Sequence, residues 1–304
     1  MGYRYHAEID DALMCTYGFG RILLGQGVGT VMGIVLQPCD AMDGKGRGTL
    51  GSPLSQEMGM MQQAFAYPFM YWVGMNTPPD TDPTAVAEFS QFYSTIHVPE
   101  VVASNPGFVR GTRYELLQPD PRGDWGPRWL AVYEMDGEAA ARTYAERNDG
   151  PPEGRPRYTP GPAAWQQTQS VWRMIWRHVS SSGTASQPPH SIFMVGMNVP
   201  PDTDEAGLEE FNAFYTNIHV PEVMDRGGYT HGTRWELHRA FRHPQPGCPR
   251  FCAIYEADAA VTQANQQRRS NPAPQPGDRP LSSGPPTWEK HDTLWRLVYR
   301  RIEL

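Results

Sequence analysis

The stretch VGMNTPPDTDPTAVAEFSQFYSTIHVPEV, residues 73–101, returns later in the same chain as VGMNVPPDTDEAGLEEFNAFYTNIHVPEV, residues 195–223. The two segments keep a constant offset of 122 residues and are identical at 19 of 29 positions. GTRYEL at 111–116 also returns, as GTRWEL at 232–237. Solenoid repeats run about 20–50 residues, so a period this long indicates a duplicated domain. We therefore expect both the fold and the site twice in one chain.

The repeated stretch itself predicts a strand followed by a helix. Residues 69–76 are rich in aromatic and β-branched side chains, which favour a strand. Asp82 is a good helix N-cap, and Pro83 stands at the first helical position, where its missing N–H costs nothing. Pro99 removes a helical hydrogen bond, so we expect the helix to kink or stop around His97.

The remaining segments complete the order β-α-β-β-α-β in each copy. Alternating residues at 107–118 predict a strand, with a hairpin partner at 128–135. An alanine-rich helix at 139–147 and a final strand at 170–178 follow. This is the ferredoxin-like unit. Because both helices cover one face of its sheet, two units can bury their open faces against each other as a barrel.

These patterns divide the chain into four segments. Residues 1–66 match neither copy and are expected to be a flexible extension or to reflect a start codon placed too early. Residues 67–180 form repeat 1, residues 181–190 a linker rich in Ser, Gly and Pro, and residues 191–304 repeat 2.

Composition excludes several classes of partner. A net charge of -7 and a pI near 5.7 argue against a nucleic-acid partner, which would favour a basic face. The uncharged run at 22–39 holds four glycines, which a membrane helix would rarely contain, so no membrane partner is expected. The four cysteines form no framework, which is typical of thiols in a reducing cytoplasm. The predicted location is cytoplasmic.

The end of the first helix carries the motif Tyr-x-x-x-His-x-Pro-Glu, at 93–100 and again at 215–222, followed by Gly-Phe/Tyr and Arg-Tyr/Trp-Glu-Leu. With the element order, this resembles the dimeric α+β barrel superfamily, nearest its EthD-like branch, over about residues 67–304. The resemblance implies an α+β fold in which two fused ferredoxin-like repeats pack sheet to sheet as a single-chain barrel. The barrel is then closed within one chain, and further dimerisation is possible.

The resemblance also implies a function. Members of this superfamily include small cofactor-independent enzymes, namely cyclases, dehydratases, isomerases and oxygenases, that act on aromatic, lactone or polyketide-like substrates. The absence of phosphate, flavin and nicotinamide motifs agrees with a prediction of no cofactor. Two alternatives stay open: a non-catalytic barrel that binds a hydrophobic small molecule, and a haem-dependent barrel enzyme whose axial ligand could only be a His.

The candidate catalytic residues are two His/Glu pairs, His97 with Glu100 and His219 with Glu222. Residues three apart lie on one face of a turn, and a carboxylate beside an imidazole holds its tautomer and raises its pKa. Such a pair suits a general acid or base. Alternatively, each His only caps a helix end. Two His-x-x-Glu pairs also resemble di-iron sites, but helices on opposite sides of a barrel are too far apart to share metals, so no metal site is predicted.

The candidate ligand-binding residues lie on the strands after the first helix. Arginine and tyrosine side chains there could line the barrel mouth and orient an anionic or phenolic ligand, although a salt-bridge ladder is the simpler account. The copies also differ, because Arg110 becomes His231 and Tyr114 becomes Trp235, which makes the second half the more favoured site. The many tryptophans favour a flat, hydrophobic or aromatic ligand. The full set comprises Arg113, Arg234, Tyr133, Tyr255, His231 and Trp235.

Overall fold

The computed structural model describes residues 63–123, 125–185, 188–243, 247–270 and 279–303. All of them belong to the Gly51–Leu304 unit, one of two units into which internal contacts divide the chain. The sequence-based expectations for residues 1–62 lie outside the described residues.

Strands in the described residues close into an antiparallel barrel, in the order β1-β3-β2-β8-β5-β7-β6-β4. Closure pairs every edge, which removes the unpaired backbone groups of an open sheet. The α+β class and the closed barrel are therefore confirmed. The strands are β1 Phe69–Asn76, β2 Phe108–Gln118, β3 Trp129–Met135, β4 Gln169–Gly183, β5 Ser191–Asn198, β6 His231–Arg242, β7 Phe251–Ala257 and β8 Asp292–Arg301.

Helices cover the outer face of the barrel. No described helix is both long and apolar enough to cross a bilayer. The α-helices are α1 Pro83–Phe92, α2 Val98–Ser104, α3 Glu138–Asp149, α4 Ala163–Gln166, α5 Glu205–Phe214, α6 Val220–Gly227, α7 Ala259–Ser270 and α8 Pro286–Glu289.

The first helix of each half is interrupted at the repeated histidine. α1 begins at the N-cap Asp82, whose carboxylate accepts a hydrogen bond from the N–H of Thr84 at 2.8 Å. One π-helical turn, Tyr93–His97, then joins α1 to α2, and Tyr215–His219 joins α5 to α6 in the same way. The proline after each histidine cannot donate to the preceding turn, and a wider π turn accommodates that loss. The expected kink is thus a π turn that ends at the histidine.

The barrel interior is packed with aromatic rings. Side chains alternate along each strand, so every second residue points inward. The rings of Trp72 and Trp176 lie 4.8 Å apart, and those of Trp172 and Trp295 lie 5.3 Å apart. All four side chains are fully buried, together with Trp235. The barrel interior is a packed core rather than a ligand cavity. A ligand-binding site is therefore sought between the outer face of the sheet and the helices.

Two boundaries differ from the sequence-based expectation. Ala64 and Phe65, grouped with the extension, are buried in the barrel core, where Phe65 stacks on Tyr114. Phe65 has a φ of 55°, which is costly for a bulky residue and is held by this packing. At the other boundary, β4 runs to Gly183, three residues into the expected linker. Gly183 has a φ of 72°, and a Cβ there would lie 2.3 Å from the carbonyl oxygen of Thr230.

Candidate functional site

His219 closes the π turn of the second half, and its ring lies in an aromatic surround. The ring centroid is 4.3 Å from that of Trp288 and 5.6 Å from that of Tyr215. Its Nδ1 is buried without a hydrogen-bond partner among the described residues. Burial, followed by the positive influence of His291, lowers the pKa of His219 to about 4, although Glu222 acts in the opposite direction. The imidazole is therefore uncharged at neutral pH.

His97 has the same environment in the first half. Its ring lies 4.4 Å from Trp165 and 4.9 Å from Tyr158. Burial lowers the pKa of His97 to about 4 as well, against the raising effect of Glu100. The two histidines therefore share a lowered pKa and an aromatic surround, and the halves differ in whether the space next to these rings is open.

The two carboxylates do not hold the imidazoles, which differs from the expected role. Glu222 accepts hydrogen bonds from the main-chain N–H of Ser282 at 3.0 Å and from its hydroxyl at 2.5 Å. Glu100 accepts the equivalent pair from Thr159. Each carboxylate raises the pKa of its histidine as expected, but burial of the ring outweighs this effect, so the net pKa of both histidines is lowered rather than raised.

A cleft of about 1100 Å³ opens beside His219, between the outer face of the sheet and helices α6 and α7. Among the described residues, none of those lining it is an Asp or Glu. Apolar and aromatic walls with a few polar groups are typical of small-molecule sites. Its aromatic lining is Phe193, Tyr215, Tyr229, Tyr255 and Trp288, and its arginines are Arg226, Arg268, Arg269, Arg279 and Arg296.

The equivalent space in the first half is filled by side chains. The ring of Tyr144, on α3, lies 4.6 Å from Tyr71 and 5.0 Å from Phe108. Helices α3 and α7 both have 12 residues, so Tyr144 corresponds to Asn265, which lines the cleft. Phe241 also reaches Tyr71 from β6. Loss of aromatic volume therefore opens the second half.

Arg113 and Arg234 lie under the helices rather than at the barrel mouth. Arg234 donates to the carbonyl of Asn212 at 3.1 Å and to the hydroxyl of Thr216 at 2.6 Å, and its guanidinium stacks 4.1 Å from the Tyr215 ring. Arg113 likewise donates to the carbonyl of Ser90 at 2.6 Å. Each arginine therefore fixes the turn that precedes a histidine. Arg234 is only 1% exposed, so it acts on the site through that turn.

His231 and Trp235 lie on the opposite face of the sheet from His219. His231 Nδ1 and Glu256 Oε1 are 2.6 Å apart inside the barrel, and the Trp235 indole N–H donates to the Thr233 hydroxyl. Because side chains alternate along β6, residues 231, 233 and 235 all face inward. The structure thus does not bring these two candidates together with the histidine, and the expectation that they share its site was wrong.

The two tyrosines have different surroundings. Tyr255 lines the cleft together with His219, whereas Tyr133 packs in the filled first half, where its ring lies 6.1 Å from Tyr71. Sequence reasoning did not single out Arg269, His291 or Asn265, which also line the cleft. A signal was present, since these three residues replace Asn148, Thr168 and Tyr144 of the first copy.

Metal ligation finds no support among the described residues, where no group of three or more His, Cys, Asp or Glu side chains could hold an ion. Cys248 and Cys252 are both free thiols. Burial raises the pKa of Cys248 to about 11, so that thiol stays protonated at neutral pH.

No known family model matches this chain, and no curated protein matches it in sequence. Solved structures similar to it include an anthrone oxidase-like protein, at a TM-score of 0.44 and 11% identity, covering 77% of this chain and 91% of that one. A putative chlorite dismutase has a TM-score of 0.43 and 11% identity, covering 77% and 94%. A chlorite dismutase variant from Candidatus Nitrospira defluvii has a TM-score of 0.44 and 7% identity, covering 82% and 95%.

Proposed function

We propose that this chain is a cofactor-independent enzyme that moves a proton on an aromatic, lactone or polyketide-like substrate in the cleft of its second half. The observation that carries the proposal is the His219 imidazole, uncharged and half-buried beside an aromatic-lined cleft. The reaction class is a cyclisation, dehydration or isomerisation, in which a base removes a proton from an acidic carbon or phenol.

The chemistry needs no electron carrier. The imidazole of His219 accepts the proton from a C–H bond, and the electron pair of that bond moves onto the neighbouring carbonyl to give an enolate. Burial raises the pKa of Tyr215 and of Tyr255, so both phenols stay protonated and can donate hydrogen bonds to the enolate oxygen. The Tyr215 hydroxyl has no partner among the described residues. Return of the proton from the imidazolium to a different atom completes the reaction without net oxidation.

We propose that the barrel consists of two fused ferredoxin-like repeats of the EthD-like type, residues 67–180 and 191–304, with residues 181–190 between them. The internal sequence repeat supports this, as do the matching strand orders β4-β1-β3-β2 and β8-β5-β7-β6. A fused pair can keep one working site while the other becomes structural. The aromatic filling around Tyr144 supports that division of roles.

A non-catalytic barrel that binds a hydrophobic molecule is the second candidate. The observation in its favour comes from His97. Its pKa is lowered like that of His219, although its ring is covered by Trp165, Tyr158 and other rings. A lowered histidine pKa thus also occurs in the half where aromatic side chains fill the space under the helices. This is compatible with a packing role for both histidines.

The two candidates differ in whether bound ligands exchange protons. A panel of aromatic and polyketide-like carbon acids is incubated with the protein in D2O, and deuterium uptake at the acidic carbon is followed by NMR. The enzyme predicts uptake that His219→Gln abolishes, whereas binding without exchange for every ligand would favour the binding barrel. A haem absorption band in the purified protein would contradict both candidate functions and indicate a haem enzyme.

A further inference from the structure

Arg173 and Arg296 occupy equivalent positions in the two halves of the barrel. Arg173 on β4 stands opposite Val73 in the register with β1, and Arg296 on β8 stands opposite Val195 in the register with β5. Both follow an inward-facing tryptophan, so both side chains point to the outer face of the sheet. The two guanidiniums differ in what surrounds them.

In the first half the guanidinium donates to two neutral acceptors. Arg173 Nε donates to the hydroxyl of Tyr71 at 2.7 Å, and its Nη2 donates to Asn148 Oδ1 at 2.5 Å. The ring of Phe241 lies 5.5 Å from the guanidinium. This arginine is therefore part of the filled structure around Tyr144.

In the second half both acceptors are replaced. Tyr71 corresponds to Phe193, which lacks the hydroxyl, and Asn148 corresponds to Arg269, which is a second cation. The side-chain hydrogen bond that the structure gives Arg296 is a long one, 3.5 Å to the hydroxyl of Thr293. Arg269 donates to Gln118 Oε1 at 3.3 Å and lies over the Phe193 ring at 4.3 Å.

Both cations line the same cleft. Burial lowers the pKa of Arg269, and the positive charge of Arg296 acts in the same direction. The carboxylate of Asp120 bonds the side chain of Arg122 and the main-chain N–H of Arg296 rather than the Arg296 guanidinium. Two guanidiniums in one cleft, with no carboxylate between them among the described residues, favour an anion that bridges them.

We infer that Arg269 and Arg296 bind the carboxylate, or a comparable oxyanion, of a flat aromatic substrate. The inference rests on the proposed function, because it assigns the substrate class of the same cleft. The aromatic wall around Trp288 stacks the ring system, and the arginines hold its charged end. The charge of the cleft also favours an anionic ligand, since arginines line it and no described lining residue is acidic.

A matched pair of fluorescent probes tests this. 8-Anilinonaphthalene-1-sulfonate carries an aromatic ring system with an oxyanion, and N-phenyl-1-naphthylamine is the same skeleton without the sulfonate. Hydrogen bonds to a charged group contribute about 1.5–3 kcal/mol, which is roughly tenfold to a hundredfold in Kd. Arg296→Gln and Arg269→Gln should therefore raise the Kd of the sulfonate at least tenfold and leave that of the neutral amine within twofold.

Arg173→Gln is the control, because it removes the equivalent arginine from the filled half and should change neither Kd. An unchanged Kd for the sulfonate in both cleft variants would overturn the inference, as would an equal loss of both probes. His219→Gln separates the inference from the proposed function. It should keep the Kd of the sulfonate while abolishing deuterium uptake, so either result can fail without the other.

Discussion

Tyr144 and Asn265 occupy the same position of two matched helices, the seventh residue of α3 and of α7. The Tyr144 ring packs 4.6 Å from Tyr71 and 5.0 Å from Phe108 in the first half, whereas Asn265 lines an open cleft beside His219. The exchange of one large ring for a small amide thus accompanies the change from a packed interface to a candidate site.

Asn265→Tyr should close the cleft. The introduced ring would occupy volume that the first half fills with Tyr144, so we expect the Kd of an aromatic sulfonate to rise about tenfold or more. The thermal midpoint should stay the same or rise, because the new ring buries apolar surface. Fluorescence titration and thermal unfolding measure the two effects, and Asn265→Ala, which keeps the cleft open, should retain binding. Unchanged affinity in Asn265→Tyr would show that the probe binds elsewhere.

Stability should fall as the pH drops from about 6.5 to about 4. In this window the unfolded chain protonates its histidines near their ordinary pKa of 6.5, whereas the folded pKa of His97 and of His219 is lowered to about 4. The unfolded state therefore binds more protons, and the free energy of unfolding decreases with falling pH. The double variant His97→Gln and His219→Gln should show a shallower decrease in denaturant titrations.

The comparison at about pH 8 supplies the reference for that experiment. Both rings are almost entirely unprotonated at that pH in the folded and the unfolded state, so any difference between variant and wild type there reflects packing alone. Parallel stability curves from pH 8 to pH 4 would contradict the lowered pKa of both histidines.

Phe65 should be essential to the barrel although it precedes the first strand. Its side chain is 2% exposed and contacts Tyr114 and Trp235 in the core. Phe65→Ala should cost about 3–5 kcal/mol, as for other buried aromatic residues. A chain that starts at Met61 should melt near the full-length midpoint, whereas one that starts at Tyr67 should melt roughly ten degrees lower. Equal midpoints for the two shortened chains would show that the segment does not stabilise the barrel.

The sequence predicted the strands and helices well because their signals are local. The N-cap Asp82 and the aromatic and β-branched side chains of β1 are signals that depend on neighbouring residues, and the repeat supplied such signals twice. The closed barrel followed from the need to bury the open face of each sheet. The exact ends differed, since the burial of Phe65 depends on distant residues, and the short helices α4 and α8 were not predicted.

The site was harder to predict because it depends on which face a strand turns inward. Spacing by two places Arg234 and Glu236 on one face of β6 but does not say whether that face meets the core or the helices. The pKa of His219 was predicted in the wrong direction because burial, which comes from Trp288 and other distant residues, outweighs the nearby Glu222. The cleft arises because a smaller side chain replaces a large ring, and no sequence motif marks such a replacement.

The most direct test compares turnover of His219→Ala and His97→Ala on a substrate identified by deuterium exchange. Loss of a general acid or base costs about 10²–10⁴ in rate, whereas a histidine with a packing role affects mainly stability. We predict that His219→Ala loses at least a hundredfold in kcat with its fold intact, while His97→Ala stays within about twofold of the wild type. Normal turnover in both variants, with lowered thermal midpoints alone, would contradict a catalytic role for His219.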